Sequence, residues 1–154
     1  MKTPKLIKHC VLYSLLIGSL LIIGGCKKEK NQTDTLNKLL GDWRETPVMD
    51  STSRTLHFSK DGTFATIFTY QGTPTAVLKS SGTFKIKGDS LLVTIKEKSI
   101  QGSNQPAVVN QVNLSFYDNA TFNVTNFTLT IKYTTYPADA PVATEAKFQK
   151  QLPD

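Results

Sequence analysis

Short runs with a period of two dominate the chain from Asp42 onward. Phe64, Thr66, Phe68 and Tyr70 occupy alternate positions of one run, and Leu91, Val93 and Ile95 occupy alternate positions of another. Successive side chains of a strand point to opposite faces, so this period predicts half-buried antiparallel strands. Asp61-Gly62 and Gly88-Asp89 lie between such runs, and these pairs are typical of hairpin turns. The chain is therefore expected to be all-β.

About eight short strands are expected, and their short connections favour an up-and-down antiparallel barrel over a sandwich. Closing the sheet into a barrel would also remove its exposed edges. Loops are predicted at residues 71–80 and 98–106, and a turn is predicted at residues 117–120. The parity of the apolar positions changes at Thr125-Asn126, which predicts a bulge or a tight turn there.

The N-terminal segment has the organisation of a secretory signal. Three lysines and no acidic residue precede an apolar run from Val11 to Ile23. This run is shorter than the roughly 20 residues that a membrane-spanning helix needs. We therefore expect residues 1–25 to be removed, residues 26–35 to form a polar tether, and residues 36–150 to form the folded domain.

The end of this segment, Ile23-Gly24-Gly25-Cys26, resembles the lipobox of bacterial lipoproteins. The resemblance implies that the Cys26 thiol receives diacylglycerol and that its freed amine is acylated, for example with palmitate. Two or three acyl chains would hold the protein firmly at a membrane. Lysine, rather than aspartate, follows the cysteine, which favours the outer membrane of the cell envelope and leaves its periplasmic or surface face open. An ordinary signal peptide with an incidental cysteine is the alternative.

Removal of residues 1–25 also changes the charge of the chain. The formal net charge falls from +6 to +3, because this segment holds three lysines and no acidic residue. A charge of +3 without a cluster of arginines is a weak signal for nucleic-acid binding, so no nucleic-acid partner is expected. The oligomeric state is left open by the sequence.

A short helical turn is predicted at residues 36–40, where three leucines have helical spacing. Gly41-Asp42-Trp43 follows it and resembles the Gly-x-Trp signature of lipocalins. The segments Asp61-Gly62-Thr63-Phe64 and Gly82-Thr83-Phe84 then occur in the order found in small lipocalin-like lipoproteins of Gram-negative bacteria. The resemblance implies that Gly41 and Trp43 close one end of the barrel. It also implies a basic residue over the indole, a position for Lys147 or Lys150.

The same resemblance implies a small apolar or amphipathic ligand inside the barrel. Side chains that line such a cavity would share the inward parity of the predicted strands, and a packed core would use the same face. The candidates are Phe58, Phe64, Phe68, Phe84, Phe116, Phe122 and Leu129. The alternative function is a structural or interaction module of the envelope, without a cavity, that binds a protein or glycan through residues 71–80 and 98–106.

The sequence offers little catalytic chemistry. His57 is the one histidine after residue 26, and it alternates with apolar neighbours, so it is expected to face solvent. One histidine and no free thiol exclude the common zinc sites, and no metal or other cofactor is expected. A Gly-x-Ser-x-Gly elbow and a phosphate-binding loop are absent from the sequence, so no catalytic residue is expected. Three Asp-Ser/Thr pairs resemble bacterial O-glycosylation acceptors, which makes Thr35, Ser51 and Ser90 candidates.

Overall fold

A computed structural model of the protein describes residues 26–72, 75–102 and 105–152. The predicted signal segment, residues 1–25, lies outside the described residues, and so does the side chain of the predicted lipidation site, Cys26. The chain order is α1 (Cys26–Leu39), β1 (Gly41–Thr46), β2 (Thr52–Phe58), β3 (Thr63–Tyr70), β4 (Ala76–Lys87), β5 (Ser90–Gly102), β6 (Val108–Ser115), β7 (Asp118–Val124), β8 (Thr128–Thr135), a 3-10 turn (Pro137–Asp139) and β9 (Val142–Lys150).

The strands form a closed antiparallel barrel with one extra strand. Around the barrel the order is β1-β2-β3-β4-β5-β7-β8-β9, and β9 pairs again with β1. The extra strand, β6, pairs with the second half of β5, while β7 meets the start of the same strand. The predicted all-β, up-and-down barrel of about eight strands is therefore confirmed.

The helix is longer than the sequence predicted. The expected turn at residues 36–40 is the end of α1, which begins at Cys26, so the residues predicted as a polar tether are helical. Three lysines, Glu29 and Gln32 make up half of residues 26–35 and are good helix formers, which the apolar pattern alone does not register. The compact β unit begins at Thr35. Within the described residues, none of the helices has the length and apolar character needed to cross a bilayer.

One end of the barrel is filled by side chains. The fully buried residues there come from the inward faces of most strands and from the end of α1, and they include Leu39, Trp43, Leu56, Phe58, Phe64, Leu91, Ile95, Leu129, Ile131 and Phe148. The Phe58 ring lies 5.1 Å from that of Phe64 and 5.0 Å from that of Phe84. An eight-stranded barrel is just wide enough for side chains to fill it, and this end follows that rule.

The strand boundaries correct three local predictions and confirm one. β4 begins at Ala76 and β5 extends to Gly102, so much of the two predicted loops is strand. Residues 117–120 do not reverse the chain: the chain bends at Phe116 and Tyr117, and β7 continues along β5. The predicted turn at Thr125-Asn126 is present, closed by a 2.8 Å bond from the Thr125 amide to the carbonyl of Thr128.

Candidate functional site

A bulge in the β4–β5 ladder divides the barrel into two parts. The register shifts between Ser81 and Gly82 of β4, and β5 shifts between Ile95 and Glu97 on its other side. Gly82 lies so close to β5 that a Cβ atom would be 1.9 Å from the carbonyl oxygen of Thr94. A bulge bends a strand and increases its twist, so beyond this point the long strands form a separate wall above the packed core.

That wall borders an open cavity of about 370 Å³, here called the cup. The volume lies within the range of roughly 300–1,000 Å³ typical of small-molecule sites. Its lining side chains come from β2 to β5 and from the bend before β7, and they are Arg54, Thr66, Phe68, Leu78, Lys79, Ser80, Lys98, Ser99, Ile100 and Phe116.

Two cross-strand rows give the cup its chemistry. Phe68 pairs with Leu78, and Leu78 pairs with Ile100, which makes an apolar row across three strands. One step nearer the packed core, Thr66 pairs with Ser80, and Ser80 pairs with Lys98, which makes a polar row. Directly opposite residues share a face of the sheet, so both rows face the cup. A molecule that contacts both rows meets an apolar surface and a cationic one.

Arg54 and Glu45 form an ion pair at the wall of the cup. Two guanidinium nitrogens of Arg54 donate to the carboxylate of Glu45, at 2.5 and 3.0 Å, and this fork arrangement is the strong form of the pair. The guanidinium also lies 5.4 Å from the centre of the Phe148 ring. Burial opposes the charge of Arg54, but the interactions with Tyr117 and Glu45 outweigh it, so its pKa is raised above the ordinary value. Glu45 thus neutralises Arg54 from within the protein.

Tyr117 carries a buried hydroxyl that has no hydrogen-bond partner among the described residues, and it interacts with Arg54 of the Arg54–Glu45 pair. Its ring lies 4.6 Å from that of Phe116 and 4.8 Å from that of Tyr133. Burial raises the pKa of the Tyr117 phenol well above its ordinary value, so the group stays a neutral donor. Buried hydroxyls are nearly always paired, so the Tyr117 hydroxyl is an exception among the described residues.

A second cavity, of about 310 Å³, lies between β1, β2 and β9. It is lined by Pro47, Val48, Met49 and Lys147, among others, and Arg54 lines it as well as the cup. Glu45 also faces it, so the ion pair is reached from both sides. This cavity has the more polar lining, which makes the cup the better match for an apolar or amphipathic ligand.

The predicted cavity residues divide between the two parts of the barrel. Phe68 and Phe116 line the cup. The other five, Phe58, Phe64, Phe84, Phe122 and Leu129, belong to the packed core. Four residues of the cup were not predicted as cavity residues: Arg54, Leu78, Lys98 and Ile100. The last three lie in the segments that were predicted as loops. The alternation of Leu78, Ser80 and Gly82 with residues facing out was the available signal.

The barrel-closing residues lie at the packed end. Trp43 is fully buried, and its indole Nε1 donates to the carbonyl of Leu39 at 2.8 Å. Gly41 adopts a φ of +110°, a conformation that favours glycine. The basic residue over the indole is Lys150, whose Nζ lies 5.1 Å from the ring centre. Lys147 does not take this place, because its odd position in β9 faces outward, where it forms a 3.3 Å ion pair with Glu145.

His57 lies on the outer wall, as its alternation predicted, and it joins two neighbours. Its Nδ1 is 2.6 Å from Asp42 Oδ1, and its Nε2 is 2.8 Å from Ser59 Oγ. The order of these contacts is that of a Ser-His-Asp triad, but His57 is 47% exposed and none of the three residues lines either cavity. A reactive serine needs a bound substrate held beside it. The expectation that the chain has no catalytic residue stays a prediction.

The remaining predicted sites are placed as follows. Thr35 lies in α1, Ser51 is exposed between β1 and β2, and Ser90 begins β5 at a half-buried position. O-glycosylation of these three residues stays a prediction. The described residues hold no group of three or more histidine, cysteine, aspartate or glutamate side chains placed to bind a metal ion.

The fold and the cup together define a lipocalin-like β-barrel: a closed eight-stranded barrel with one packed end and one open end. Comparisons with protein-family models, with curated proteins and with solved structures found no match to the chain.

Proposed function

We propose that this protein is a lipid-anchored, lipocalin-like binding protein of the cell envelope that takes a small amphipathic molecule into the cup. The observation that carries the proposal is the pair of facing rows, one apolar and one polar, around a cavity of about 370 Å³. Binding sites for small molecules combine mostly apolar walls with a few placed polar groups, and the cup has that composition.

The charges of the cup favour an anionic ligand. Arg54 is already paired with Glu45, whereas no carboxylate of the described residues forms an ion pair with Lys98. A carboxylate or phosphate would therefore gain a new charged contact at Lys98 without breaking one. A long alkyl chain would contact the apolar row of Phe68, Leu78 and Ile100.

Mass spectrometry of the intact protein tests for ligand binding directly. The full chain is purified from its own envelope in mild detergent, and its mass is measured without denaturation. We expect a bound molecule of a few hundred daltons that denaturation releases. Recovery of the unliganded chain alone, together with no binding of the probes described next, would overturn the proposal.

A fluorescent fatty acid and its methyl ester then test the chemistry of the cup. Ile100→Glu places a charge in the apolar row and should abolish binding of both probes. Leu92→Glu is the matched control, because Leu92 lies on the outer face of the same strand and is exposed. Lys98→Ala should lower the affinity for the fatty acid about fivefold, as expected for the loss of an exposed ion pair of roughly 1 kcal/mol. The affinity for the methyl ester, which carries no charge, should not change. Equal affinities in Ile100→Glu and Leu92→Glu would contradict the location.

The membrane anchor is supported by the sequence Ile23-Gly24-Gly25-Cys26 and has its own test. Metabolic labelling with a palmitate analogue should label the chain and shift it to the membrane fraction. Cys26→Ser should abolish the label and leave the unprocessed precursor, whereas Cys10→Ser should change neither. Equal labelling of Cys26→Ser and the parent would refute lipidation at this residue, and fractionation of the inner and outer membranes checks the proposed location.

A further inference from the structure

The barrel leaves one strand edge open. Among the described strands, β6 pairs with β5 alone, and nothing pairs with its other side. Phe116, just after β6, donates its amide to Val93 of β5. Because amides alternate in direction along a strand, those of Val109, Gln111 and Asn113 point to the open edge. A row of unpaired donors and acceptors of this kind is a template for another strand.

β6 also lacks the usual features that protect an edge. Its eight residues, Val108 to Ser115, include no charged residue and no proline or glycine. Seven of the eight are exposed, and Val108, Val109 and Leu114 are 61%, 54% and 47% exposed. Natural edge strands are commonly blocked by lysine, proline or short length. An unprotected edge of this length favours a partner strand in the native assembly.

We propose that β6 pairs antiparallel with β6 of a second copy of this chain, about a twofold axis at Gln111. A twofold axis perpendicular to the sheet keeps each face of the sheet continuous, so paired residues must have the same parity. Pairing centred on Gln111 meets that condition. It also joins the three edge-facing amides: Gln111 bonds its own counterpart, and Val109 bonds Asn113 of the second copy.

In this register the side chains of β6 place apolar groups together at both ends of the paired segment. On the face that continues the cup wall, Val108 lies opposite Leu114 of the second copy, and Asn110 lies opposite Val112. On the outer face, the two Gln111 amides meet, and each is already held by a 2.9 Å bond to Glu97 of its own chain. No like charges oppose each other across the axis, because β6 carries none. These features favour a second copy over a partner strand of unknown charge.

The mass of the full chain in mild detergent tests the proposal, by light scattering corrected for bound detergent. We expect two copies in the parent and one copy in Gln111→Glu, since two new carboxylates would face each other beside the two Glu97 side chains. Gln111→Pro should also give one copy, because it removes an edge-facing amide that β5 does not use. Gln149→Glu makes the same charge change on exposed β9 and should remain two copies.

Cross-linking tests the register. Residues paired in this way have Cα atoms about 5.5 Å apart, within disulfide range, so Gln111→Cys should give a covalent dimer on mild oxidation, and Leu92→Cys on the outer face should not. Circular dichroism checks that each variant is folded. The proposal would be overturned if the parent chain has the mass of one copy, or if both Gln111→Glu and Gln111→Pro remain dimers. It would also be overturned if the parent is a dimer but Gln111→Cys does not cross-link.

Discussion

Gly82 is the position at which a single methyl group should most damage the barrel. A Cβ atom there would lie 1.9 Å from the carbonyl oxygen of Thr94, and 2.9 Å from both the carbonyl carbon of Thr94 and the Cα atom of Ile95. All three contacts are with backbone atoms, so no side chain can rotate away. The backbone of β4 or β5 must move by about 1 Å at the bulge to remove the overlap.

The cost of Gly82→Ala follows from that overlap. Overpacking of a well-packed interior costs about 1–3 kcal/mol, and contact with backbone on both sides places this substitution near 3 kcal/mol. Two other glycines of the same hairpin provide the scale. Gly88 has a φ of +64° and open space around it, so Gly88→Ala should cost about 1 kcal/mol. Gly102 has open space and no such conformation, so Gly102→Ala should be neutral or stabilise by up to about 1 kcal/mol.

Urea unfolding followed by the fluorescence of Trp43, the only tryptophan, measures these differences. With a slope of about 1.5 kcal/mol per molar urea, Gly82→Ala should lower the midpoint by about 2 M. The loss of unfolding free energy should be largest for Gly82→Ala, smaller for Gly88→Ala and smallest for Gly102→Ala. If the free energy of unfolding of Gly82→Ala is within about 0.5 kcal/mol of that of the parent, the close approach of β4 and β5 is refuted. Gly102→Ala as costly as Gly82→Ala would show instead that chain flexibility determines the loss.

Three further substitutions have defined outcomes. Trp43→Phe removes a buried hydrogen bond and leaves a void, so thermal unfolding should show a loss of about 2 kcal/mol. Arg54→Met leaves the half-buried Glu45 without its partner and should cost about 1–2 kcal/mol in urea unfolding, part of which Glu45→Gln restores. The amide and hydroxyl of Thr63 lower the pKa of Asp61 below 3.8. Its carboxylate therefore stabilises the fold above pH 3.8, and the deficit of Asp61→Asn, measured by urea unfolding at several pH values, should shrink as pH falls below that value.

The alternation of apolar residues predicted the packed end of the barrel because that information is local. Phe64, Leu91, Val93 and Ile95 lie on the faces that the period of two assigns to the interior, and all four are buried. The change of parity at Thr125-Asn126 was also visible, since a strand cannot change its inward face without an extra residue or a turn.

The cup was not predictable in the same way. Its inward positions Lys98 and Ile100 have even numbers, whereas the buried positions before the bulge, such as Ile95, have odd ones. The bulge that changes this parity depends on how β5 pairs with β4 and β6, which are distant contacts. A lysine and several serines in these segments read locally as a polar loop. The pairing of both β6 and β7 with one long strand is equally non-local, which is why a turn was predicted at residues 117–120.

The cup and the open edge of β6 have one structural cause, and this makes a prediction about both. β5 continues past the bulge to Gly102, and β6 is the strand that covers its free side. The apolar row of the cup therefore continues from Ile100 to Val108, which is itself on the open edge. Pairing of β6 with a second copy would cover Val108 and extend the cup wall.

Ligand binding and self-association should then be coupled, and the coupling must be reciprocal. If a ligand contacts Val108, saturating ligand should raise the association constant of the dimer by the same factor that dimerisation raises the ligand affinity. Sedimentation of the full chain with and without the fluorescent fatty acid measures the first factor, and titration at low and high protein concentration measures the second. Val108→Ala should reduce both factors together, whereas Leu92→Ala, on the outer face of β5, should change neither. Unequal factors would show that the titrations report something other than one linked equilibrium. If both factors equal one, ligand binding and dimerisation are independent, and the second copy does not form part of the cup.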